Sequence, residues 1–249
     1  MPSLADVRAV GQPDSLHTSS GYEHWAGRLY MRRLSPYVTR MIVATPLSAN
    51  AVTALLFPAG LGAALLLTVP GLWGAVGAAL LVQLWLLLDC SDGEVARWRG
   101  TFSPTGVYLD GLSHSLTQAA LPAGLAVRAD GGWSALGGWT AAGLLAALLV
   151  LVVSLESHLA RSVAGKGTSP TGRPRTGSVR RLRSSFRYLP VQRALNPVEA
   201  SLLTLVAAGF DAGRGDLVAT RALVVAVLAA AAITAVGHLL VILTSDRFE

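Results

Sequence analysis

Four ionisable residues sit within otherwise apolar sequence: Asp89, Asp92, Asp110 and His114. Asp89 and Asp92 are three positions apart and Asp110 and His114 four, so on helices each pair shares one face. A turn around Ser103-Pro104 joins the two segments, and the four groups can converge at one depth. Ionisable groups inside a membrane span are costly and rare, which makes them functional candidates by default. Three carboxylates packed together repel one another and shift towards protonation. A divalent cation removes that conflict. Oxygen ligation suits Mg²⁺ or Mn²⁺, and Mg²⁺ typically combines carboxylates with substrate phosphates. The cluster therefore predicts metal-assisted chemistry on a phosphate-bearing ligand.

The intervening residues suit such a ligand. Gly93 has no side chain, so a bulky group can approach the backbone there. Ala96 is small, and Arg97 can pair with phosphate in a bidentate way. Gly106 opens the start of the second helix, whose N-terminus near Ser103 favours an anion. Glu94 points away from the Asp89/Asp92 face and is expected to be solvated or paired with Arg97 or Arg99.

Holding these groups in place requires helices in a bilayer. The 249 residues are 52% hydrophobic and 14% charged, against about 25% charged in a soluble domain. Six apolar stretches lie at about 51–69, 72–97, 105–127, 134–161, 197–210 and 218–243. Each can cross a hydrocarbon core of roughly 30 Å, the fifth being short. Pro70-Gly71 ends the first of them. Residues 22–44 are basic and amphipathic, with Trp25, Leu29 and Tyr30 opposed to Arg28, Arg32 and Arg33; they read as an interfacial helix on the inner leaflet. The expected fold is an all-α membrane protein with six transmembrane helices preceded by that amphipathic helix.

Residues 1–21 are polar, lack an apolar signal core and read as a flexible cytosolic tail. The stretch 162–195 is rich in Gly, Ser, Pro and Arg and reads as a basic loop with a short helix at 178–188. Six spans put both termini on one side. Of 20 Lys+Arg residues only Arg128, Arg214 and Arg221 fall opposite, so both termini and the polar cluster should face the cytosol. The net charge of +6 belongs with the membrane surface rather than nucleic acid, because the basic residues flank spans and no aromatics interleave with them. The single cysteine, Cys90, excludes an intramolecular disulfide and a multi-cysteine metal site.

The segment Asp89-x2-Asp92-Gly93-x2-Ala96-Arg97-x8-Gly106-x3-Asp110 resembles the CDP-alcohol phosphotransferase family motif, D-x2-D-G-x2-A-R-x8-G-x3-D-x3-D. Seven of its eight fixed positions match with the same spacings. Upstream, Asn50 and Thr53 are similar to the family's P-N-x-x-T, with Ala49 in place of the proline. The resemblance covers roughly 22–245 and implies transfer of a phosphoalcohol group, such as phosphatidyl from CDP-diacylglycerol, to a small hydroxyl or phosphorylated acceptor with release of CMP. It implies that Asp89, Asp92 and Asp110 hold Mg²⁺ or Mn²⁺. It also implies that Asn50, Gly93, Ala96, Arg97, Ser103 and Gly106 bind the CDP group. Family members often form homodimers, and a bacterial inner membrane is the expected location. The family's fourth Asp is His114 here. Imidazole is a competent base, so His114 is expected to act catalytically or to ligate the metal.

Lesser signals surround this core. Arg161 matches a point where the family often has an arginine, and so is a candidate for acceptor binding. Glu156 and His158 could line an acceptor pocket or simply mark a helix end. Gln83 reads as an interhelical hydrogen bonder and His238 as structural. A non-catalytic relative that binds CDP-lipid or metal is the alternative function. An aspartate-rich prenyltransferase is disfavoured, because that class pairs two Asp-rich motifs and only one such region exists here.

Overall fold

The computed structural model describes residues 1–13, 24–164 and 190–243, and all regular structure among them is helical. The order is α1 (Leu4–Gly11), a π-helical turn (Gly27–Met31), α2 (Arg32–Val43), α3 (Ala49–Ala54), α4 (Leu56–Leu67), α5 (Leu72–Arg99) and α6 (Pro104–Ala129). A 3₁₀ turn (Trp133–Ala135), α7 (Gly138–Ala164), a second 3₁₀ turn (Pro190–Leu195), α8 (Pro197–Arg214) and α9 (Val218–Leu243) complete it. Four segments are long and apolar enough to cross a membrane: Ala49–Leu67, Leu72–Arg99, Gly138–Ala160 and Val218–Leu243. Helices α6 and α8 lie where the third and fifth spans are expected. Charged or titratable residues on them include Asp110, His114 and Arg128 on α6 and Glu199, Asp211 and Arg214 on α8.

The chain forms two compact units, Met1–Ala63 with Ala79–Leu116, and Ala64–Ala78 with Thr117–Glu249. In the first, the α5–α6 turn follows directly from sequence. Gly100 takes a left-handed φ of 64°. The Gly100 and Thr101 amides donate to the carbonyls of Arg97 and Ala96, a glycine stop of the Schellman kind. Three residues later Ser103 caps α6: its hydroxyl accepts from the Gly106 amide at 3.0 Å, with Pro104 at the first helical position. Arg99 ties the end of α5 to the 45–47 loop, its two Nη groups donating to the Thr45 and Leu47 carbonyls at 2.6 Å.

Helix α2 is polar inside and apolar outside. Ser35 and Thr39 are fully buried while Leu34, Tyr37 and Met41 are exposed. That inversion suits an apolar surround better than water. Tyr30, in the preceding turn, donates to Gln83 Oε1 at 2.6 Å, the inter-element hydrogen bond expected of Gln83.

The expectation of a flexible tail does not hold for Leu4–Gly11. A reciprocal capping box starts this helix: Ser3 Oγ accepts from the Asp6 amide, and Asp6 accepts from the Ser3 amide. Val7 and Gly11, one turn apart, are its buried face. Its apolar residues, Leu4, Ala5, Val7, Ala9 and Val10, fall all round the helix rather than on one face, so periodicity has little to register. Glu94 is likewise neither solvated nor paired with Arg97 or Arg99. It is fully buried and accepts from Gln12, Ser35 and Thr39, with an Arg32 Nη at 3.8 Å.

In the second unit a small-residue core joins α6, α7 and α9 through Ala126, Ala129, Ala146, Val150, Val227 and Ala231. A Cβ on Gly143 would lie 2.1 Å from that of Ala126, so only glycine lets α6 and α7 approach this closely. The outer face of α7 exposes Leu144, Leu148, Leu151, Leu155 and Leu159. Arg128 is buried and donates to the Val69 and Gly71 carbonyls at 2.9 and 2.8 Å, capping the end of α4. Asp211 accepts from the Ala219 and Thr220 amides at the start of α9. His238 on α9 meets Glu156 on α7 at 2.9 Å, a structural pairing. Arg161 lies on α7 but its side chain is outside the described residues, as is most of the basic loop with the helix expected at 178–188.

Candidate active site

Every residue expected in the polar cluster belongs to the first unit. Helix α5 presents Asp89 and Asp92 and helix α6 presents Asp110 and His114, as the spacings predict. His114 stands between two carboxylates. Its Nδ1 lies 3.1 Å from Asp110 Oδ1 and its Nε2 3.5 Å from Asp89 Oδ1. The same Nδ1 is 3.0 Å from the Asp110 backbone carbonyl.

Asp89, Asp110 and His114 each offer a ligand atom within 4.8 Å of the other two. Ligands on opposite sides of one Mg²⁺ stand about 4.2 Å apart. Ligands on adjacent sides stand about 3 Å apart, so the trio lies near the span of one ion's ligands and its donor set fits a small divalent cation. Asp92 stands outside that trio. It is 9% exposed, and Thr53 on α3 donates to its Oδ2 at 2.6 Å. That bond anchors one carboxylate oxygen.

The residues expected around CDP fall into two groups. Asn50, Ser103 and Gly106 come together: Ser103 Oγ donates to Asn50 Oδ1 at 3.0 Å. A Cβ on Gly106 would lie 2.7 Å from that same Asn50 oxygen, so glycine is required if Asn50 is to reach the start of α6. Gly93, Ala96 and Arg97 lie along α5. The guanidinium folds back over its own helix, and a Cβ on Gly93 would be 3.3 Å from both Arg97 Nη atoms. Its Nε donates to the Gly11 carbonyl at 2.7 Å.

Two neighbours went unread in the sequence. The Trp85 indole, 2% exposed, meets the His114 ring edge-on with centroids 4.6 Å apart. Its Nε1 points to Ser113 Oγ at 3.4 Å. The signal existed, since Trp85 precedes Asp89 by four positions and shares its helix face. The second neighbour, the Gly11–Gln12 backbone, left no sequence signal because its role is carried by a carbonyl.

The paired helices bring together Asp89, Asp110 and His114, which could hold a metal ion, in a chain with four segments able to span a bilayer. The particular family follows from comparison. A family model described as CDP-alcohol phosphatidyltransferase matches residues 46–245, and the chain belongs to that family. No curated protein matches the chain. Family membership and the apolar helices together make it a membrane transferase whose family chemistry is phosphoalcohol transfer.

Proposed function

We propose that the protein transfers a phosphoalcohol group, phosphatidyl from CDP-diacylglycerol, to a hydroxyl acceptor and releases CMP. The observation that carries this reading is the convergence of Asp89, Asp110 and His114, with the Thr53-anchored Asp92 one turn along the same helix.

Asp89, Asp92 and Asp110 would hold Mg²⁺ or Mn²⁺. A divalent cation there would polarise the phosphoryl oxygens and offset charge on the departing CMP. Arg97 presents a planar guanidinium to the pyrophosphate, and Gly93 keeps the helix surface low beside it. Ala96 extends that low surface. The Asn50–Ser103–Gly106 group at the α6 N-terminus supplies polar contacts to the nucleotide end. His114 is the base. When its Nδ1–H donates to Asp110, the neutral ring carries its lone pair on Nε2. The acceptor hydroxyl gives its proton to that nitrogen as its oxygen bonds to the β-phosphorus. The bond between that phosphorus and the CMP oxygen breaks, and CMP leaves with the electron pair.

The orientation belongs to the same reading. Six spans, counting α6 and α8, with both termini in the cytosol keep the basic flanks inside. The exposed apolar face of α2 rests on the inner leaflet, in a bacterial inner membrane. Arg161 and the basic loop are the candidates for a phosphorylated acceptor.

CMP release from CDP-diacylglycerol with Mg²⁺ or Mn²⁺, measured across a panel of hydroxyl acceptors, tests the proposal. CDP-alcohol binding with no CMP from any acceptor, water included, would favour a non-catalytic CDP-lipid-binding role.

A further inference from the structure

Arg97 is held from outside its own helix. Its Nε donates to the Gly11 carbonyl, while the Gly93 surface lies beneath both Nη atoms. Among the described residues no hydrogen bond engages those Nη atoms. The guanidinium is thus fixed along one edge and presents the other, which is the edge that pairs with phosphate oxygens in a bidentate contact.

The carbonyl that does this is itself fixed. Gly11 packs on α5 so closely that a Cβ there would sit 3.2 Å from both Cβ and Cγ of Glu94. Gln12 Nε2 donates to the Arg32 carbonyl at 2.7 Å and to Glu94 Oε1 at 2.8 Å. Val7 is buried, and Arg8 lies over the Tyr37 ring at 5.8 Å. The capping box at Ser3 and Asp6 closes the far end. An eight-residue helix would not persist alone in water, so these contacts are what hold it.

We propose that the N-terminal strap, Leu4–Gln12, is a positioning element for the phosphate-binding arginine. The Gly11 carbonyl orients Arg97 so that its Nη edge meets the pyrophosphate of the CDP-alcohol. The inference rests on Arg97 binding the donor phosphates, as in the proposed function. Orientation before binding spares the donor the cost of ordering a long, flexible side chain.

The full-length protein in lipid vesicles, with CMP release followed as CDP-diacylglycerol is varied, provides the test. Deletion of residues 1–12, and separately Gly11→Val, should raise KM for the donor about tenfold, the scale of one hydrogen bond to a charged group. kcat should change by less than about threefold. In an Arg97→Lys background, which lacks the Nε edge, the same changes should add less than about twofold, because the two sites act as one. An unchanged donor KM in both strap variants, or equal losses in both backgrounds, overturns the proposal. Should the deletion fail to fold, Gly11→Val and Gln12→Ala carry the comparison. If the unaltered protein binds CDP but releases no CMP, the catalytic reading fails and the strap is judged by CDP affinity in the same variants. If it binds no CDP, both fall.

Discussion

His114 is the residue on which the chemistry turns. It occupies the position where the family motif has its last Asp, yet it lies between two carboxylates that can set its tautomer. If Nε2 is the base, His114→Ala should lower kcat by about 10²–10⁴-fold. His114→Asp should restore part of that loss by returning the family's own residue. A CMP-release assay at saturating donor and acceptor decides it, and full activity in the Ala variant removes His114 from the mechanism. The sequence made this group legible because costly residues stand out in apolar stretches and helical spacing fixes their face. Thr53 was visible as part of a motif, but its hydrogen bond to Asp92 crosses 39 positions, and no local pattern reports a contact of that range.

At the scale of elements, the helices were placed by their apolar runs and stops. The Ser103-Pro104 signal places the α5–α6 turn to within two residues, because capping chemistry is local. Charges fared differently. Glu94 was expected in water, and it lies instead at the centre of contacts from α2 and from Gln12 at the end of α1. Removing it strands three donors and takes away one carboxylate near Arg32. Glu94→Ala should cost about 3 kcal/mol, read as a lower unfolding midpoint in detergent; an unchanged midpoint would mean that these bonds are replaced by water. Asp130, in the turn before α7, makes a pH-dependent contribution. Burial opposes its ionisation, but bonds from the Thr140 hydroxyl and from backbone amides of Thr140, Gly137 and Trp139 together outweigh that and hold its pKa below the ordinary carboxylate value. A carboxyl lowered in the folded state stabilises fully above its unfolded value and loses that contribution as pH falls through the folded one. Stability should therefore decline below about pH 4, and Asp130→Asn should flatten that part of the curve in thermal unfolding scans.

For the whole molecule, the proposed topology rests on the distribution of basic residues. It is tested at two exposed turns, Thr101 between α5 and α6 and Ser134 between α6 and α7. In a Cys90→Ala background, Thr101→Cys should react with an impermeant thiol reagent only from the cytosolic side, and Ser134→Cys only from the other. Labelling of both from one side would mean that α6 does not cross. Composition made the membrane class legible, and apolar run lengths fixed where helices lie. Hydropathy alone credits four of them. Helices α6 and α8, counted as spans in the proposed topology, spend polar residues on tasks that hydropathy cannot weigh: Asp110 and His114 in the site, Asp211 capping α9. The strap was illegible because its hold depends on a backbone carbonyl and on a glycine chosen for lack of bulk.

The edge-on contact between Trp85 and His114 gives the site an optical voice. A protonated imidazole quenches the emission of an adjacent indole, and anything that alters the charge or tilt of the His114 ring alters that quenching. Filling the carboxylate cluster with Mg²⁺, or docking a nucleotide beside it, should therefore change the protein's intrinsic fluorescence without any added dye. The chain has six tryptophans, so the signal is the part lost in Trp85→Phe. A titration with Mg²⁺ that gives the same response with and without Trp85 would show that occupancy of the cluster does not reach the His114 ring.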